Sequence, residues 1–215
     1  MSSPNFDPDC RHCKRLSGFL NEVKREQPDY FCRPVPPFGA KQPKLLIVGL
    51  APGMHGANRT GRPFTGDYAG ILLYETLHKY GFSNRPKSVA ADDSLKLKQC
   101  RITNAVKCLP PANKPTGVEI NTCNAYLAQE LAGLRQGTVV LALGSIAHNA
   151  VLKALGLKLK DYPFGHGKFY SLPSGLVLAT SYHCSRYNTQ TRRLTEAMFR
   201  QVFDKVSARV HTKNA

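Results

Sequence analysis

Acidic side chains are scarce in this sequence: 14 Asp and Glu stand against 30 Lys and Arg, a formal net charge of +16 over 215 residues. A chain so poor in carboxylate favours a polyanionic partner, and nucleic acid is the first candidate. Long apolar runs are absent too. None approaches the ~18 residues needed to cross a bilayer, which excludes a membrane-spanning helix and makes a membrane partner unexpected. The N-terminus lacks the basic-then-apolar layout of an export signal, so the chain is expected in the cytoplasm, in the company of the nucleoid. In that compartment its seven cysteines do not read as a disulfide framework. Internal repeats and low-complexity tracts are missing. So are a nucleophile elbow and a nucleotide-binding fingerprint, which leaves a small-molecule hydrolase without its signature and predicts no nucleotide cofactor.

The length and the 42% hydrophobic content suit one domain over residues 1–215 with a real core. Four short apolar runs, 45–50, 101–106, 138–143 and 176–180, read as strands. Helical stretches lie between them. Residues 68–80 form one. A second follows the capping pair Thr116 and Glu119, with Val118, Ile120, Leu127, Leu131 and Leu134 as its apolar side and Gly137 as its stop. A third is capped by Ser145, carries Ile146, Val151 and Leu155, and closes at Gly156. Residues 191–208 read as a basic terminal helix. Strand-helix alternation predicts an α/β fold with a mainly parallel sheet covered on both faces. Residues 34–43 are a proline-rich lead-in, and the polar stretch 85–98 reads as a mobile insertion.

One loop concentrates chemistry. Residues 49–67 follow the first strand and precede a helix, and they mix glycine with cations. Loops at the C-terminal ends of parallel strands are where such sheets place ligand sites. Glycine lets backbone approach a flat group, and arginine suits phosphate. A second segment, 183–188, is built for the same site.

Cys10 and Cys13 form a Cys-x-x-Cys pair, and Cys108 and Cys123 are their best partners. Four thiolates suit structural zinc or a [4Fe–4S] cubane, and spacing alone does not choose between them. Cys32, Cys100 and Cys184 are surplus and read as small buried apolar residues.

Three segments carry a family resemblance. The first is Gly49-Leu50-Ala51-Pro52-Gly53 continued by Asn58-Arg59-Thr60-Gly61-Arg62-Pro63-Phe64-Thr65-Gly66-Asp67. The second is Ile102-Thr103-Asn104-Ala105-Val106-Lys107-Cys108-Leu109-Pro110-Pro111, and the third His183-Cys184-Ser185-Arg186-Tyr187-Asn188. In that order they resemble the motifs of family 5 uracil-DNA glycosylases, and the second is similar to one shared with family 4. The resemblance implies a three-layer α/β/α sandwich around a four-stranded, mainly parallel sheet. It implies a structural [4Fe–4S] cluster on Cys10, Cys13, Cys108 and Cys123. The reaction it implies is hydrolysis of the N-glycosidic bond of uracil and related deaminated or modified bases in DNA, by a monomer, leaving an abasic site.

Such chemistry requires the damaged nucleotide to leave the stack. Phe64 is the candidate platform under the base. Asn104, with one donor and one acceptor, suits the N3–H and O4 edge of uracil. His183 is the main catalytic candidate, since an imidazole N–H near O2 stabilises the departing anion. Ala51 stands where many relatives carry an Asp or Asn that activates water. Asp67 is the nearest carboxylate, and it reads either as a catalytic group or as a helix N-cap. Gly53 replaces a tyrosine found in family 1 and opens the range of bases. His55 is a candidate contact to base or phosphate. Arg59, Arg62, Arg186, Arg192 and Arg193 are candidate phosphate contacts, and Tyr187 aligns with the wedge residue. The missing base at Ala51 keeps a second expectation open, an iron–sulfur protein that binds lesions without cutting them.

Overall fold

The computed structural model describes residues 6–211. Its sheet has six strands: β1 (Phe38–Gly39), β2 (Leu45–Gly49), β3 (Cys100–Asn104), β4 (Val139–Leu143), β5 (Phe169–Ser171) and β6 (Val177–Ser181). They lie in the order β1-β3-β2-β4-β6-β5. The four inner strands are parallel and correspond to the four apolar runs. The two outer ones, three residues or fewer, pair antiparallel and raise the expected count of four to six. Strands this short carry no periodic signal, so only pairing reveals them.

Alternation along the inner strands divides the core. Leu45 and Ile47 of β2, with Leu141 of β4, face Leu73 and Leu77 of α3 (Tyr68–Lys79) and Phe199 and Phe203 of α7 (Glu196–His211). Leu46 and Val48, with Val140 and Ala142, face Leu127 and Leu131 of α4 (Gly117–Ala132) and Ala147 and Val151 of α5 (Ser145–Ala154). The result is the three-layer α/β/α arrangement. Two short helices complete the sheet side, α2 (Ala57–Thr60) and α6 (Arg186–Gln190). A further helix, α1 (Lys14–Glu26), has no counterpart among the sequence expectations; a bidentate pair between Arg15 and Glu119, at 2.8 and 2.6 Å, ties it to the start of α4.

Several local expectations change. The Thr116–Glu119 capping box forms, but α4 stops at Ala132 rather than Gly137. Val118 stands in solvent because it sits two residues before Ile120, on the opposite side of a 3.6-residue turn. Gly144, not Ser145, is the N-cap of α5, and Ile146 is exposed. The terminal helix starts at Glu196 rather than at residue 191: Arg192 adopts a left-handed φ of 57° in the turn that separates α6 from α7.

The stretch 85–98 is docked rather than loose. Asp93 accepts from the Arg62 guanidinium at 2.5 Å and from the backbone N–H groups of Val89, Ala90 and Leu95. Burial favours the neutral acid, but these donors outweigh it and pull Asp93 down to about 2. Arg62 is buried, also donates to Ser88 and to the Ala91 carbonyl, and lies over the Phe38 ring. Its expected role as a phosphate contact is therefore corrected, because the guanidinium is spent inside the protein.

Removing Arg62 leaves a half-buried carboxylate without its partner, so Arg62→Ala is expected to cost roughly 3 kcal/mol in urea unfolding. Because the folded pKa lies below the unfolded value of about 3.9, the stabilisation from Asp93 is fully present above that value and disappears as pH falls through about 2. Asp93→Asn should flatten that acid dependence.

Candidate active site

The parallel strands present their C-terminal ends to one cavity of about 360 Å³. The chain runs from β2 to its neighbour β3 and then to β4 on the other side of β2, so the sheet order reverses at β2. A crevice opens outside the strand ends at such a point. Its walls include residues 50–53 after β2, Asn104 at the end of β3, His183 and Ser185 beyond β6, and Phe64, Asp67 and Asn113. Three separate sequence segments therefore meet in one space.

One close approach is at Gly49, paired in register with Asn104. A Cβ there would lie 2.7 Å from the Phe64 ring and closer still to Asn104 Oδ1. Gly70, in the first turn of α3, leaves room for the Phe64 carbonyl in the same way. Phe64 itself holds a left-handed φ of 55°, a costly conformation for a bulky residue. Its ring lies nearly parallel to that of His183, with centroids 5.8 Å apart and planes inclined by 28°.

Asn104 is 3% exposed, and its Oδ1 has no hydrogen-bond partner in the protein. An enclosed acceptor left unpaired costs about 1–3 kcal/mol, and a ligand that donates to it recovers that cost. His183 keeps some surface open to the cavity, yet the protein packed around it favours the neutral ring and lowers it to about 4. Its backbone carbonyl accepts from Asn188 Nδ2 at 2.8 Å, which fixes the segment leading to α6.

Asp67 takes the N-cap place expected of it and also lines the cavity. Its Oδ1 accepts from the Gly70 N–H at 2.9 Å as the N-cap of α3. Its Oδ2 lies beside Gly56, where a Cβ would press against it at 2.5 Å, and within ordinary contact of Gly53. Burial raises its pKa, and the N–H groups of Gly70 and Ala69 oppose the shift. Asn113, on the turn Pro111–Asn113 and with φ of 56°, was missed by sequence reasoning. An asparagine in a proline-flanked turn gives no signal of its own, and only the fold brings it to the wall.

His55 is not brought to the cavity wall. It is exposed, and its Nδ1 is 2.8 Å from the Tyr30 hydroxyl, which corrects its place as a base contact. Arg59, Arg186, Arg192 and Arg193 are exposed. Arg186 lies over Tyr68 and Arg193 over Tyr182. Tyr187 is 70% exposed at the start of α6.

Cys10, Cys13, Cys108 and Cys123 line a second, smaller cavity between α1, the segment after β3, and α4. Burial pushes Cys108 up to about 12 and Cys123 up to about 11, and neighbouring thiols add to the rise at both. Four desolvated soft donors around one space suit a cationic metal centre, whose charge makes thiolates stable there. Among the described residues, no three His, Cys, Asp or Glu are grouped as ligands of a single ion. A cubane binds each thiolate to a different iron, so its sulfurs stand wider apart than around one ion. Cys32, Cys100 and Cys184 are buried, Cys100 and Cys184 completely.

Comparison with known proteins agrees with this geometry. The model of the uracil DNA glycosylase superfamily matches residues 36–207. The chain is 48% identical over 199 residues to a type-5 uracil-DNA glycosylase of Thermus thermophilus, covering 90% of each chain. It is 45% identical to a type-5 enzyme of Mycobacterium leprae, covering 90% of this chain and 88% of that one. A type-4 uracil-DNA glycosylase of Saccharolobus solfataricus is 28% identical over 81% of this chain and 77% of its own.

An NMR titration of the His183 ring should give a midpoint near 4, against about 6.5 for an unfolded histidine. The unfolded chain then takes up this proton first, so acidification from 6.5 towards 4 should favour unfolding through His183. A midpoint at or above 6.5 would contradict a desolvated ring.

Proposed function

The chain belongs to the uracil DNA glycosylase superfamily, and from that premise we propose that it hydrolyses the N-glycosidic bond of uracil in DNA. The observation that carries the reading is the unpaired, buried Asn104 Oδ1 in a cavity shared with Phe64 and His183. Uracil supplies the missing donor at N3–H, and the other half of the carboxamide serves O4. The cavity is of a size to enclose one base but not a base pair, so the nucleotide is extruded to enter it. Phe64 is the flat wall against which the base lies.

Bond breaking leaves the electron pair on the base and positive charge on the sugar. His183 meets the first need. As a neutral imidazole it donates a hydrogen bond to the developing charge at O2 without first having to gain a proton. Asp67 meets the second, since its carboxylate lies within the wall and stabilises a cationic sugar. The attacking water adds oxygen to C1′ and gives up a proton, which balances the charge on the departing base so that neutral uracil is released. Ala51 offers no base for it, and Asp67 and Asn113 are the polar wall groups that can hold it. Gly53 leaves the wall open beside the base, which supports action on related deaminated or modified bases. In this reading the working unit is a monomer.

Arg59, Arg186, Arg192 and Arg193 supply phosphate contacts in this reading, and Tyr187 fills the space the base vacates. Their exposure and the net charge of +16 support it. A non-catalytic lesion binder is not favoured, since the close relatives are named glycosylases. The four cysteines would hold a [4Fe–4S] cluster with a structural role, tying α1 and α4 to the segment that follows Asn104.

A duplex with one U·G pair should release free uracil without added metal or nucleotide. His183→Ala should lower the single-turnover rate about 100-fold, a loss of the size seen when one oxyanion donor is removed. Binding of the same duplex should weaken steeply with salt. Full activity in His183→Ala would remove the leaving-group assignment.

The purified protein should show a broad absorption in the blue that bleaches on oxidation, and Cys108→Ser should abolish it. A colourless protein holding one zinc would overturn the iron–sulfur assignment.

A further inference from the structure

His166 lies outside the cavity, and the mechanism above gives it no part. It precedes β5 in the run Gly165-His166-Gly167. The β5–β6 ladder leads towards it. Phe169 pairs with Ala179, and beyond that pair the Thr180 N–H donates to the Lys168 carbonyl at 3.0 Å. The Gly167 N–H also donates to the Thr180 carbonyl, at 2.8 Å, so residues 167 and 168 both stand against Thr180, a bulge made possible by the φ of 72° at Gly167. Regular pairing ends there. The Tyr182 N–H donates to His166 Nδ1 at 3.2 Å. The imidazole thus supplies this N–H with an acceptor beyond the bulge.

The same ring stacks on Tyr182, with centroids 5.1 Å apart and planes 23° from parallel. Arg193 also lies over Tyr182, at 4.9 Å. On the β4 side, the Gly144 N–H donates to the Ser181 carbonyl at 2.8 Å. Ser181 and Tyr182 are therefore anchored on opposite sides of β6, immediately before His183 enters the cavity.

Resting on the glycosylase reading, we propose that His166 is a positioning residue, whose unprotonated Nδ1 holds the Tyr182–His183 segment so that His183 meets the base. The hydrogen bond fixes its neutral form as the Nε2–H tautomer. Protonation at Nδ1 sets a donor against the Tyr182 donor and releases the segment. The groups facing the ring are the Ser181 hydroxyl, 3.4 Å from Nδ1, the Tyr182 ring, the Met198 backbone and Lys205 of α7. Burial and the Lys205 charge disfavour protonation, while the Met198 backbone favours it, and the net effect lowers the pKa from the ordinary histidine value. The holding form is thus present at neutral pH and lost as pH falls.

Two substitutions separate the hydrogen bond from the packing. His166→Phe keeps an aromatic ring against Tyr182 but has no acceptor. His166→Asn places an oxygen near the position of Nδ1. Misplacing a catalytic group slightly costs rate rather than affinity, so His166→Phe should lose roughly 10–100-fold in single-turnover uracil release at unchanged KM. His166→Asn should retain most of the rate and lose the part of the acid limb that His166 contributes. Hydrogen exchange at the Tyr182 amide provides a readout that does not depend on catalysis: protection should fall in His166→Phe and, in the wild type, on acidification, but persist in His166→Asn. Unchanged Tyr182 protection in His166→Phe, or an Asn variant as impaired as the Phe variant, would overturn the inference. Absence of uracil release from the wild type, with Tyr182 protection behaving as expected, would instead overturn the functional reading.

Discussion

The site depends on one missing side chain. Because Gly49 has no Cβ, the Asn104 carboxamide and the Phe64 ring occupy space at the end of β2 that any other residue would fill. The parallel pairing of β2 with β3 puts Asn104 directly opposite. Packing of Gly70 against the Phe64 carbonyl then holds the platform from the helix side. Recognition here is thus a consequence of backbone register and close approach, and the strained φ of Phe64 is sustained by that packing.

Desolvation governs the chemistry of the same space. The environment that keeps His183 neutral also raises Asp67 and leaves Asn104 Oδ1 without a protein donor. In the proposed mechanism these effects act together: a neutral imidazole donates, a carboxamide reads an edge, and a carboxylate faces the developing cation. Arg59, Arg186, Arg192 and Arg193 are exposed, and in the proposed reading they attract a polyanion without perturbing the pocket.

Legibility followed the strength of the local signal. Four parallel strands were readable because each is a short buried apolar run, and α3 and α4 because caps and periodicity agree. The edge strands, too short for any pattern, were not. Arg62 illustrates the limit at the site. In the sequence it is one cation in a phosphate-suited loop, indistinguishable from Arg59. Only the docking of residues 85–98 supplies the Asp93 that claims it. Asn113 was illegible for the opposite reason: a turn residue acquires a role only when the fold turns it towards a wall made by distant segments.

By itself the sequence determined the α/β architecture, the basic balance and the four-cysteine set, and the resemblance of its ordered motifs pointed to Phe64, Asn104 and His183. These follow from residue type, spacing and order, which are local or additive properties. Tertiary structure alone decided which cations remain free, that His55 turns to Tyr30, and that the His166 ring accepts from the Tyr182 N–H next to His183. Those outcomes depend on which groups meet across more than ten residues of chain, and the energy of a contact has no value until packing has chosen its partner.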